Sequence, residues 1–104
     1  MRSGLRISYS NYMSKIHIPT PLRQYVGKQS SVDVKGGTVG EAMTALVALH
    51  PDLNKHLYTE DGKLRAFVNL YVNDEDIRYL QREATVLNDG DNISIVPSIA
   101  GGGA

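Results

Sequence analysis

The sequence predicts an α+β fold, in which one main amphipathic helix covers one face of a mixed β-sheet. Three observations carry that prediction. Short stretches in which apolar and polar residues alternate recur at 15–18, 31–34, 66–72 and 92–96, the period of half-buried strands. One run only, 38–50, places its apolar residues at helical spacing behind a capping signal. A helix stripe and a sheet face each stay wet unless they cover one another, so the two must pack together. With 104 residues, the chain is one small domain.

In Lys15-Ile16-His17-Ile18 the isoleucines point inward, until Pro19 and Pro21 break the strand. Leu22 to Val26 connects, ending at Gly27, and Ser31-Val32-Asp33-Val34 alternates again. The intervening residues are too few for a helical crossover, so the two strands form an antiparallel hairpin with a long loop. Thr38-Val39-Gly40-Glu41 is a capping box, and Ala42, Met43, Leu46, Val47 and Leu49 form the helix stripe. His50-Pro51 ends it, because the residue before proline is pushed out of the α region. From Pro51 to Lys63 the chain is polar, with Leu53 and Leu57 as anchors and a turn at Asp61-Gly62.

Ala66 to Val72 is the strongest strand pattern. Val68, Leu70 and Val72 face one way and Phe67, Asn69 and Tyr71 the other. Asn73 to Asp76 is an exposed acidic turn, and the mixed stretch 77–86 holds a short strand near Arg82–Ala84. Asn88 to Asp91 is a glycine-containing turn. The last strand, Asn92 to Val96, sends Ile93 and Ile95 inward and Ser94 and Val96 outward. It must return beside the first strand to close the sheet, which is the layout of a β-grasp, or ubiquitin-like, fold. The expected organisation is a flexible extension at 1–12, a domain at 13–97 and a tail at 98–104. Met13 is the expected functional start, or residues 1–12 are dispensable, since they show no sustained hydrophobic period.

Composition narrows the function. The 11 basic and 11 acidic side chains cancel, leaving no basic footprint for nucleic acid and no cationic amphipathic face for a membrane. Without cysteine there is no thiolate nucleophile, disulfide or iron–sulfur ligation. No apolar run approaches the ~20 residues of a membrane span, and no signal-peptide core opens the chain. The expected location is cytoplasmic.

Few residues offer chemistry. His17, His50 and His56 lack ligand spacing and read as structural or surface histidines. Asn73 to Asp76 lacks the late bidentate glutamate of a calcium loop and reads as a solvated turn. Gly36-Gly37-Thr38 could hold an anion at a helix N-terminus but lacks the Lys-Ser/Thr ending of a phosphate loop, so turn and cap is the better reading. Asp89-Gly90-Asp91 is a turn without a binding role. Phe67, Tyr71 and Val96 instead stand on the sheet face that a single helix leaves bare, where exposed aromatics mark a docking patch. The alternative is that residues 1–12 or the 55–63 loop cover them. Beyond Pro97 run Ser98, Ile99, Ala100, Gly101, Gly102, Gly103 and Ala104. Glycine threads passages too narrow for a Cβ, and the residues from Pro97 to Gly102 reach about 17 Å extended. A terminal carboxylate can therefore enter another protein's active site.

Three stretches resemble the small ubiquitin-like sulfur carriers: Ile18-Pro19-Thr20-Pro21-Leu22-Arg23, the run from Phe67 to Arg78, and Asp89-Gly90-Asp91 through Pro97 to Gly102. This family includes the molybdopterin-synthase small subunit and the thiamin-pathway carrier. The likeness is closest to the carriers of thiocarboxylate-dependent cysteine synthesis. The resemblance implies that an activating (E1-like) enzyme uses ATP to adenylate the carboxylate of Gly102, which follows Gly101, and that sulfur then displaces AMP to leave a thiocarboxylate. It implies two further partners, a pyridoxal-phosphate-dependent cysteine synthase and a metal-dependent peptidase. The carrier itself needs no catalytic residue, metal or bound cofactor, and Ile99 and Ala100 join Phe67, Tyr71 and Val96 as partner-binding residues. The likeness ends at Gly102. Gly103-Ala104 therefore reads as a segment to be removed by processing. A molybdopterin-synthase small subunit and a ubiquitin-like covalent modifier are the alternatives.

Overall fold

A computed structural model describes residues 13–97 of the chain. Strands β1 (Met13–His17) and β2 (Ser31–Lys35) form an antiparallel hairpin. Helix α1 (Val39–Leu49) follows, then a short helix α2 (Asn54–Leu57), strand β3 (Val68–Val72), a two-residue β4 (Glu75–Asp76) and β5 (Asn92–Pro97). The sheet order is β2-β1-β5-β3-β4. β5 lies at the centre, parallel to β1 and antiparallel to β3. This is the β-grasp arrangement, with the last strand beside the first, as closing the sheet requires.

Alternation places Ile16, Val32, Val34, Val68, Leu70, Val72, Ile93 and Ile95 on one side of the sheet, all at most 7% exposed. Val39, Ala42, Met43 and Leu46 of α1 are fully buried in the same core. The cap forms as expected: Glu41 N–H donates to the Thr38 hydroxyl (3.2 Å). The Glu41 carboxylate reaches back one residue further than a capping box does, accepting from Gly37 N–H at 2.7 Å. It thereby fills the place an anion would take before the helix. Gly36 is required for a different reason, since a Cβ there would stand 2.7 Å from the Ala42 backbone nitrogen.

Several elements depart from expectation. Leu49 is 59% exposed and Val47 is half-buried, because at 3.6 residues per turn both lie roughly 80° from the middle of the stripe. Residues Thr20–Val26 and Pro51–Leu53 form 3-10 turns, and α2 follows directly. The first part of the polar stretch, Pro51 to Leu57, is therefore helical, held by buried Leu53 and Leu57. Arg82–Ala84 is a 3-10 turn rather than a strand, and Arg82 has φ +54°, which strand pairing does not allow. The acidic turn is tighter than expected. Asn73 and Asp74 both have positive φ, as a type I′ hairpin requires, so Val72 pairs with Glu75 and Tyr71 with Asp76. Asp76 is consequently buried, at 7% exposed, not solvated.

Candidate functional site

β5 leads directly into the tail, and its neighbours determine what surrounds the exit. Pro97 ends the strand opposite Val68, and proline can close a strand because it has no N–H to place in a ladder. Gly101, Gly102, Gly103, Ala104, Ile99 and Ala100 lie outside the described residues. The site consists of the two sides of the sheet around Pro97.

On the outer side, Val96 is 42% exposed opposite Asn69, and half-buried Tyr71 lies opposite Ser94. Tyr71 and Val96 are thus diagonal cross-strand neighbours, a spacing of about 7–8 Å between Cα atoms. Lys15 and Asp33 extend this face with an exposed ion pair at 3.4 Å, and His17 Nε2 contacts Asn92 Oδ1 at 2.9 Å.

Phe67 does not join them by alternation. Ala66 and Phe67 form a turn before β3 begins, so the period that orients Tyr71 stops short of Phe67. Its ring is 48% exposed and lines a cavity of about 410 Å³ with Pro21, Leu22, His56, Ile95 and Pro97. Ile95 belongs to the buried side, so the predicted three-residue patch divides between two surfaces at the root of the tail. In the sequence Pro21 and Leu22 stand out only through the resemblance and His56 only as a structural or surface histidine, and nothing marks the three as sharing a cavity. They come from segments far apart in the chain and carry no shared period. His56 stacks on Tyr25 with ring centroids 4.3 Å apart, and its Nε2 is buried without a hydrogen-bond partner.

The opposite end of β5 is tied down by side chains. Asp91 accepts from the Asn73 amide (2.9 Å) and from Asn88 N–H (2.8 Å), and Asp89 accepts from Met13 N–H (2.9 Å). The Asp89-Gly90-Asp91 turn is therefore a brace between β1, β3 and β5, as its turn reading implies. Among the described residues no three histidine or acidic side chains gather as metal ligands, and no helix is long and apolar enough to cross a membrane.

Among the acidic groups, one carboxyl and one phenol have displaced titrations. Hydrogen bonds from the Arg78 side chain, the closest at 2.7 Å, and from its backbone N–H hold the Asp76 carboxyl below the usual carboxylate range. Burial, then the nearby Glu83 carboxylate, pushes Tyr58 up. Neither side chain lines the tail-root cavity.

The sequence profile of the ThiS family matches residues 16–102. The chain belongs to the ThiS family of ubiquitin-like sulfur carriers. It is 43% identical over 89 residues to the sulfur carrier protein CysO of Mycobacterium tuberculosis, covering 84% of this chain and 96% of that protein. It is 37% identical over 83 residues to small archaeal modifier protein 3 of Haloferax volcanii, covering 77% and 88%. Among solved structures, it superimposes on a chain of the Amycolatopsis orientalis BexX/CysO complex with a TM-score of 0.76 and 38% identity, covering 82% and 94%.

Proposed function

We propose that this chain carries sulfur as a thiocarboxylate on Gly102 and donates it to cysteine synthesis. The observation that carries the reading is the 43% identity to a sulfur carrier along nearly that protein's whole length. The central strand supports it, since β5 lies between β1 and β3 and its last residue, Pro97, from which the tail continues, pairs with Val68. The activating enzyme joins the Gly102 carboxylate to AMP from ATP, releasing pyrophosphate. A sulfur donor then displaces AMP. The synthase's pyridoxal phosphate would supply an electrophilic three-carbon acceptor to which the sulfur bonds as a thioester. The acyl group then shifts from sulfur to the new cysteine's amino nitrogen, and a metal-dependent peptidase hydrolyses that amide to release cysteine and the Gly102 carboxylate. This chain acts as co-substrate throughout. Its parts in these steps are the tail, including Ile99 and Ala100, and a docking surface built from Tyr71 and Val96, with Phe67 at the tail-root cavity.

Adenylation needs the reacting carboxylate on the last residue, and the family match ends at Gly102. Gly103-Ala104 is accordingly removed first. The test offers chains ending at Gly102, Gly103 and Ala104 to the activating enzyme with ATP and a sulfur donor, read by intact mass. Only the Gly102 chain exchanges oxygen for sulfur quickly. Equal loading of the Ala104 chain would remove the processing step, and loading of none would remove the carrier reading. The match to an archaeal modifier protein favours one second reading, covalent attachment to lysines. Isopeptide-linked species in place of thiocarboxylate would establish it.

A further inference from the structure

The sheet has an open edge beside a cationic groove. β4 pairs with Tyr71 and Val72 alone, so the outer margin of β3 is uncovered from Val68 to Leu70. The direction of the peptide groups follows from Asn73, whose N–H donates to Asn92 O across to β5. Successive residues of a strand turn their N–H and C=O to opposite sides, so Asn69 and Tyr71 also bond β5 while Leu70 turns outward. Val68 fits this alternation, since its outward N–H donates to Arg65 O in the preceding turn at 2.9 Å. The Leu70 N–H and the Val68 C=O are thereby left on the free margin, while the Leu70 C=O faces Ile77, the next position of the β3–β4 pairing.

That margin is one wall of a groove of about 390 Å³, whose other walls come from residues 62–66 and 76–83. Lys63, Arg65, Arg78 and Arg82 line it against Asp76 and Glu83. Arg78 is committed to Asp76. Among the described residues, Lys63, Arg65 and Arg82 have no acidic partner within ion-pair distance. The local excess of positive charge stands out on a chain whose formal net charge is zero. Arg82 is held at φ +54°, a conformation that non-glycine residues adopt at a cost.

We propose that this groove binds an extended acidic segment of a partner protein as an added strand on β3. An open margin templates strand addition through main-chain hydrogen bonds, and the cations select the sign of the incoming side chains. Cations also guard sheet edges against self-association. The same guard repels a second copy's identical edge and admits an acidic strand, which argues for a partner over a dimer. Strands lie about 4.8 Å apart, so the added strand would run roughly 10 Å from β5, whose end leads into the tail. This inference is independent of the sulfur chemistry and is measured without any activating enzyme.

The probe is a short peptide alternating glutamate and valine, with a lysine–valine peptide of the same pattern as control. Both are titrated into the full chain under nuclear magnetic resonance. The acidic peptide shifts the amides of residues 63–70 and 82, and its affinity falls as salt rises. At about ten times its Kd it slows Leu70 amide exchange about tenfold. Arg82→Gly, which suits the positive φ and so preserves the fold, weakens binding roughly two- to fivefold, the scale of one exposed charge. Lys63→Glu acts in the same direction. Equal binding of the lysine peptide, shifts confined to the β2 edge, or no binding overturns the proposal. So does binding that leaves Leu70 exchange unchanged, which would be adsorption of charge alone. Leu70 exchange that is already slow in the free protein would mean that the tail or a second copy holds the edge.

Discussion

Ile93 and Ile95 of β5 are 0% and 4% exposed, whereas Val96, one residue on, is 42% exposed. The two faces of one strand differ because α1 covers one of them and no described element packs over the other. The covered face sets stability, since every methylene removed there leaves a cavity among close-packed neighbours. The uncovered face retains apolar area that folding does not use, and such area is available to partners. Asp76 complicates this division. It pairs beside Tyr71, which alternation puts on the uncovered face, yet it is buried by its contacts with Arg78.

The comparison breaks most readily at the covered face. Leu46→Ala or Ile95→Ala should each cost about 2–5 kcal/mol, while Val96→Ser should stay within about 0.5 kcal/mol, both read from urea midpoints. Similar losses for Ile95 and Val96 would mean that the outer face is packed after all. Phe67→Ala sharpens the other half. It should weaken association with the activating enzyme by about 2 kcal/mol, the scale of an interface hot spot, with a smaller change in folding stability. Calorimetric titration against a melting curve separates the two effects, and a loss confined to stability would make Phe67 part of the core.

Asp76→Asn tests the exception. The folded carboxyl titrates below its unfolded value of about 3.9, so its stabilisation is complete above that pH and is lost as the pH falls through the folded value. The parent should therefore melt higher than the variant at neutral pH, and the two curves should converge in acid. A constant gap at every pH would show that packing, not charge, is involved. The smallest effect is expected at the start of β1. A chain shortened to begin at Met13 keeps its nitrogen beside Asp89 Oδ1, 2.9 Å away, now as a charged pair, and gains or loses no more than about 1 kcal/mol. A melting temperature lower by more than a few degrees would show that residues 1–12 pack on the domain.

What the amino-acid order determined by itself is whatever depends on near neighbours. Period-2 alternation gave the inward sets of β1, β2, β3 and β5. Thr38 and Glu41 marked the helix start, and the apolar spacing of 39–46 marked its buried face, because each signal lies within a turn or two of the residue it governs. The resemblance in the stretches around Phe67 and Gly102 pointed to the carrier family for the same reason: it resides in contiguous residues. Tertiary structure alone decided where alternation stops. Phe67 left the strand because Arg65 O captures the Val68 N–H in a turn, and Asp76 became buried because a two-residue turn folds it back beside Tyr71. The tail-root cavity joins Leu22, His56 and Ile95, and the cationic groove joins Lys63 to Arg82. No local period encodes either one, because the cavity exists only once β5 has passed between β1 and β3, and the groove only once the turns before and after β3 fold back along its open edge.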